Sequence, residues 1–228
     1  MPASARGPVD RPGPHPRPVP DTVRDVPTDV PSAGHVRAAR AGDAAALADL
    51  QLACWTAAYT DVLPEHALAV IAAERAAMLT QWEGSAAAPP SGRHRVLVAL
   101  DDGDQNTVAG AAATAPAEDE DLDPGADGEL LVLLVAPDRR RRGHGSRLLA
   151  AAVDHLREDG FARAVGWLDD SDDAAGRLLR SSGWAPDGTV RTLDLDGDGA
   201  VLVRQERWHT DLGEAPGDEQ ADHEEDGP

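Results

Sequence analysis

Lysine is missing from the sequence altogether, so all 21 strongly basic side chains are arginine. Lysine-dependent phosphate loops and lysine Schiff bases are excluded with it. Cysteine is nearly as scarce. Cys54 stands alone, which rules out an internal disulfide framework and a cysteine-rich zinc site and fits a reducing compartment. No run is apolar for long enough to cross a bilayer, and the amino terminus lacks the apolar core of a secretory signal. The expected location is the cytoplasm. Cations are in deficit overall: 41 acidic residues against 21 basic ones give a net charge of −20. Such a surface repels nucleic acid and anionic membranes, and neither is an expected partner.

What is present is enough for a core, since 41% of the 228 residues are hydrophobic. The ends are excluded from it. Residues 1–34 are crowded with proline and show no hydrophobic period, as expected of a flexible arm, which leaves open a role for that arm in docking a partner. Residues 213–228 are dominated by acid and read as a disordered tail. The folded domain is expected over 35–212.

Within that span the periodicity predicts a short strand from His35 to Arg40 and a helix N-capped by Asp43, with Leu47, Leu50, Cys54 and Ala57 on one face. A second helix is expected from Glu65 to Trp82 after Pro64, ended by the loop "EGSAAAPPSG". "RVLVAL" and "TVAGAAATA" predict an antiparallel hairpin. "ELLVLLV", Glu129 to Val135, predicts a central strand covered on both faces, in which Glu129 is the only acid. Leu148, Leu149, Ala152, Val153 and Leu156 then mark a helix ending at Gly160. "ARAVGWL" predicts a strand, "DDAAGRLLRSSG" a short helix closed by Gly183, and "TVRTLDL" with "AVLVRQERW" a final hairpin. "DLDGDG" resembles the start of a calcium loop, but Gln205 stands where a bidentate glutamate belongs and the flanks read as strands. The eight histidines have no ligand spacing, and no metal is expected.

Between the central strand and its helix lies "VAPDRRRRGHGS", four consecutive arginines and two glycines at a helix start. Unpaired N–H groups and about half a positive charge make a helix N-terminus a phosphate site. Gly143 and Gly145 let backbone approach an oxyanion, and Arg139 to Arg142 add charge for a second phosphate, so a diphosphate ligand fits. A dinucleotide fits less well, because Leu148 occupies the place of its third glycine. His144 is expected to face solvent or the cofactor.

The pattern V-x-P-x-x-R-x-x-G-x-G (Val135, Pro137, Arg140, Gly143, Gly145) resembles the acyl-CoA signature of the GNAT superfamily of N-acetyltransferases, and "DDAAGRLLRSSGW" resembles that family's later helix. The resemblance implies an α/β fold: a mixed, mostly antiparallel central sheet splayed at its fourth strand and flanked by helices. It implies acetyl-CoA as co-substrate. Its pantetheine arm would pair with Leu133, Leu134 and Val135, and its diphosphate would be held by Arg140, Arg141, Arg142, Gly143, His144, Gly145 and Ser146. Asp172 stands at the family's asparagine beside the cofactor, where it also suits an N-cap. Glu129 is the candidate base, with a solvated strand-end carboxylate as its bland alternative, and Trp55 and Tyr59 are candidate walls of the acceptor pocket.

The implied activity is acetyl transfer to a primary amine of a small molecule or peptide by direct attack, in a monomer or homodimer. One position departs from the pattern: Leu179 replaces the tyrosine that commonly protonates the departing thiolate, leaving water, Ser181, Ser182 or Tyr59 to substitute. A module that binds acyl-CoA without turnover is the alternative.

Overall fold

A computed structural model describes residues 35–61, 63–101, 103, 107–194, 199 and 202–213. The expected arm at 1–34, all of the expected tail but Gly213, and the turn residues 195–198 lie outside the described residues. The elements run β1 (Val36–Ala38), α1 (Ala44–Tyr59), α2 (Glu65–Ala73), α3 (Arg75–Ala87), β2 (Arg95–Leu100), β3 (Val108–Pro116), β4 (Asp127–Val135), α4 (His144–Glu158), β5 (Arg163–Asp169), α5 (Asp173–Ser181), β6 (Ala185–Asp194) and β7 (Leu202–Asp211). The strands form one mixed sheet in the order β1-β2-β3-β4-β5-β7-β6, antiparallel at every join except β4–β5. The implied α/β architecture is the one observed.

Two apolar layers sandwich the first four strands. On one face Leu47, Leu50 and Cys54 of α1 and Met78 and Trp82 of α3 pack against Val98, Ala111 and Ala113. On the other, Leu148, Leu149, Ala152 and Leu156 of α4 meet Leu97, Ala112 and Leu130, and this layer continues to Leu179, Trp184 and Trp208. The α4 residues recur three and four apart, the stripe a helix needs to bury one face. Alanine at 109, 111, 112 and 113 lets the helices come close to β3.

Several expectations are corrected. Asp43 holds the N-cap position of α1, but its side chain caps the preceding 3₁₀ turn (Ala41–Asp43) instead, where its carboxylate accepts from the Arg40 N–H at 2.7 Å and from Arg37 at 2.7 and 2.9 Å. The run from Glu65 to Trp82 is two helices divided at Glu74, and the second passes through the expected loop to Ala87, because Glu83, Ala86 and Ala87 favour helix against the cost of Gly84 and no proline stands before Pro89. β4 starts two residues early and so contains a second acid, Asp127, which Arg163 grips at 2.8 and 3.0 Å. β4 is also not covered on both faces throughout. A register shift between Ala113 and Thr114 leaves Leu131 without a counterpart on β3, a bulge, and Leu131 is 52% exposed.

Candidate active site

The parallel join of β4 to β5 lasts three register pairs: Asp127 with Arg163, Gly128 with Ala164 and Glu129 with Val165. Beyond them β4 continues along β3 to Val135, while β5 continues along β7 to Asp169. The two strands therefore part after Glu129 and leave a wedge whose one wall is backbone of Leu130 to Val135. Gly128 lets the α4 layer pack tightly on this join, since a Cβ there would lie 2.6 Å from Leu156 and 2.8 Å from Phe161.

At the far end of β4, six residues and roughly 20 Å from Glu129, the chain turns into α4. Pro137–Arg139 form a 3₁₀ turn, Arg141 takes a left-handed φ of 66° and Gly143 one of 82°. Arg147 donates the first bond within α4, to the Gly143 carbonyl at 3.1 Å, which leaves the N–H groups of Gly145 and Ser146 outside the helix's own ladder. Arg140, Arg141, Arg142 and Gly143 are exposed around this helix start, as is Ser146. A Cβ on Gly145 would sit 3.3 Å from Leu178 and 3.6 Å from Val135, narrowing the gap between α5 and the end of β4.

The arginine run is not uniform. Arg139 forms an ion pair with Asp101, whereas Arg140, Arg141 and Arg142 are exposed and form no ion pair among the described residues. Arg140 Nε donates to the Val135 carbonyl at 3.5 Å, and Cys54 Sγ donates to the same oxygen at 3.4 Å, tying α1 to the strand end. His144 does not face solvent: it is 1% exposed, with Nδ1 3.0 Å from Arg147 Nη2. It occupies the first position of the buried α4 stripe, four residues before Leu148, and helical spacing turns it inward. Leu133, Leu134 and Val135 are half-buried on the wedge strand.

Asp172 caps α5, its Oδ1 accepting from the Ala174 and Ala175 N–H groups at 3.1 and 2.9 Å. Leu179 on the same helix is 6% exposed within the α4-side core, so no hydroxyl stands at its place, and the Ser181 hydroxyl is spent on the Leu178 carbonyl.

Glu129 occupies the closed end of the wedge. Its neighbour Leu130 packs on the α4 side, so in an extended strand Glu129 faces the other side, shared with Val165 and Trp167 of β5 and Arg207 of β7. Burial pushes its carboxyl above the ordinary range; Asp119 and Glu118 push it further, against Arg191 and Arg207. A carboxylate raised in this way is a stronger proton acceptor than one in water. Tyr59 is half-buried at the end of α1, its phenol held protonated by burial and by Asp169 of β5; Trp55 lies one turn earlier, 38% exposed.

Sequence reasoning missed Arg207, which is 4% exposed and bound to Asp119, Asp121 and Asp187. The signal was in the alternation of Val203, Gln205, Arg207 and His209 on one face of β7, a polar face opposite Trp208. Among the described residues no group of histidine, cysteine or acid side chains is placed to hold a metal, and no helix is long and apolar enough to cross a membrane.

Residues 45–184 match the model of the acetyltransferase (GNAT) family. No curated protein matches the chain. Among solved structures it is similar to PaiA N-acetyltransferase from Thermoplasma acidophilum in complex with coenzyme A (16% identity, 75% of this chain and 96% of that one, TM-score 0.55). It is similar also to an N-acetyltransferase from Staphylococcus aureus (17%, 79% and 99%, TM-score 0.54) and to an acetyltransferase of the GNAT family from Streptococcus pneumoniae (17%, 78% and 99%, TM-score 0.54). At these identities the likeness is one of fold.

Proposed function

The chain belongs to the acetyltransferase (GNAT) family, and from that premise we propose that it moves an acetyl group from acetyl-CoA to a primary amine of a small molecule or peptide, in the cytoplasm. The observation that carries this reading is the wedge: a strand that loses its neighbour after Glu129 and ends in the exposed arginines and glycines of the α4 turn. Its residues suit acetyl-CoA. Along Leu133, Leu134 and Val135, the backbone groups turned away from β3 offer partners to the amides of a pantetheine arm. The N–H groups of Gly145 and Ser146, with Arg140, Arg141 and Arg142, hold a diphosphate at the helix start. His144 supports the turn from within, and Asp172 fixes the start of α5 beside it.

Transfer is the attack of the neutral acceptor nitrogen on the thioester carbonyl: a C–N bond forms, the C–S bond breaks and coenzyme A leaves as thiolate. Glu129 takes the proton that the nitrogen loses, directly or through a water. Trp55 and Tyr59 line the approach of the acceptor from the open end. With Leu179 in place of an acid, the thiolate takes its proton from Tyr59 or from water, which a thiolate tolerates as a fair leaving group.

Calorimetric titration with acetyl-CoA, with NAD and ATP as controls, tests the site. Selective binding of acetyl-CoA is expected, and its failure to bind overturns the reading. The buried Leu179 favours one second reading, a module that binds acyl-CoA without turnover. Enzyme-dependent release of coenzyme A thiol with any amine excludes it.

A further inference from the structure

Arg207 uses its whole guanidinium. Nε donates to Asp187 at 2.7 Å, Nη1 to Asp121 at 2.8 Å and Asp119 at 3.3 Å, and Nη2 to Asp121 at 2.6 Å and Thr189 at 3.0 Å. Asp187 and Thr189 belong to β6, the strand beside it. Asp119 and Asp121 come from the loop between β3 and β4, which the apolar core does not hold: no residue from Glu118 to Ala126 is buried. Trp167 adds one further bond, from its indole N–H to Asp119 at 3.1 Å. The planar fork of an arginine suits several carboxylates at once, which the point charge of a lysine does not.

The loop segment held in this way is the one that carries the charges beside Glu129. The charged groups acting on Glu129 are Glu118 and Asp119 from the loop, Arg191 from β6 and Arg207 from β7. Arg191 is itself fixed, stacked 4.2 Å over the Trp167 ring and bonded to Gln205. The acids and the arginines act on Glu129 in opposite senses, so the balance depends on where the loop is kept.

We propose that Arg207 is a positioning residue for acyl transfer: it straps the Glu118–Asp121 segment beside Glu129 and so fixes the charges under which Glu129 accepts the acceptor's proton. The inference rests on Glu129 being the base. Loss of the Arg207 cation leaves Asp119, Asp121 and Asp187 uncompensated and makes Glu129 hold its proton to higher pH; loss of the Asp119 charge does the reverse.

The test is the pH dependence of kcat/KM for an amine acceptor in the full chain, compared among wild type, Arg207→Met, Arg207→Lys, Asp119→Asn and Glu129→Gln. Arg207→Met is expected to move the acid limb to higher pH by about one unit, a loss of about tenfold at a fixed pH on that limb. Asp119→Asn moves it lower, Arg207→Lys falls between wild type and Arg207→Met, and the KM for acetyl-CoA stays put in all three. An acid limb that remains at the wild-type position in both Asp119→Asn and Arg207→Lys, or that moves the same way in both, overturns the proposal and leaves Arg207 a structural arginine. If Arg207→Met does not fold, those two variants decide alone. The two readings separate at Glu129→Gln. A wild-type acid limb there removes Glu129 as base and this inference with it, whereas a lost limb there with unmoved limbs elsewhere removes only the role of Arg207.

Discussion

Strands β1 to β4 and strands β5 to β7 meet at three register pairs, and the two groups are held together by different means. Except around the exposed Leu131 of β4, the first group is packed on both faces by helices, with alanines of β3 in close contact with α1 and α4. The second is packed on one face only, by Trp184, Trp208 and Leu179; its other face carries Trp167, Arg191 and Arg207 and is organised by ion pairs. Dispersion and burial hold most of the first group, with ion pairs such as Arg37–Asp43 and Arg95–Asp159 added to them. The second keeps polar groups in fixed positions next to the wedge, where chemistry needs them. Glu129 stands at the junction, on the last shared pair.

The largest effect is expected from Glu129→Gln, which removes the junction's charge. Coenzyme A release should fall by roughly 10²- to 10⁴-fold. The same change should raise the melting temperature at neutral pH. A carboxyl raised by burial binds its proton more readily folded than unfolded, so stability declines as pH climbs from the unfolded value through the folded one. In the glutamine variant that decline disappears, and equal melting temperatures for the two proteins above and below the ordinary carboxylate range would contradict the burial of its charge.

Leu148→Ala attacks the layer that the two groups share. Leu148 is fully buried in the α4 core, and its truncation should cost about 3 kcal/mol of global stability by denaturant titration, against a usual span of about 2–5 kcal/mol. A loss confined to one group of strands would mean that they unfold separately. Gly145→Leu tests the wedge from its open end: loss of close backbone approach to an oxyanion should weaken acetyl-CoA binding by roughly 100-fold, about 2.7 kcal/mol. Unchanged affinity would move the phosphate site elsewhere.

The smallest effect comes from acid. Asp127, at the join of the two groups, is held below the ordinary range chiefly by the hydrogen bonds it accepts from Arg163 of β5, and Asp121 by those it accepts from Arg207 of β7. Asp187, which burial alone would raise, is brought down by Thr189 and Arg207. A depressed carboxyl contributes stability above its unfolded pKa and loses it as pH falls through the folded one. Acid should therefore loosen the second group first, seen as loss of near-ultraviolet signal from Trp167 before that of Trp82. Simultaneous loss would show the ion pairs to be no weaker than the packing.

The strand, turn and helix around the arginines were legible because each carries a local signature: a continuous apolar run, glycines at positive φ and a stripe at helical spacing. The same holds for Asp172, whose side chain caps the helix that its position announces. The bulge at Leu131 was not legible, since a leucine among leucines does not reveal which residue loses its counterpart. Neither was the break at Glu74, where a helix former stands at the division. Arg139 and Arg207 looked like their neighbours in the sequence. Their partners, Asp101, Asp119 and Asp121, lie far along the chain, and long-range ion pairing leaves no periodic trace.

The wedge also makes the molecule report on itself. On the β5 side, the β4 amides past Glu129 belong to no strand ladder, so hydrogen–deuterium exchange at Leu130 to Val135 should alternate between slow positions bonded to β3 and fast ones open to the wedge. Any ligand that completes the ladder would slow the fast set alone, so the occupancy of the cleft can be read from a handful of strand amides without a label, an assay or knowledge of the acceptor.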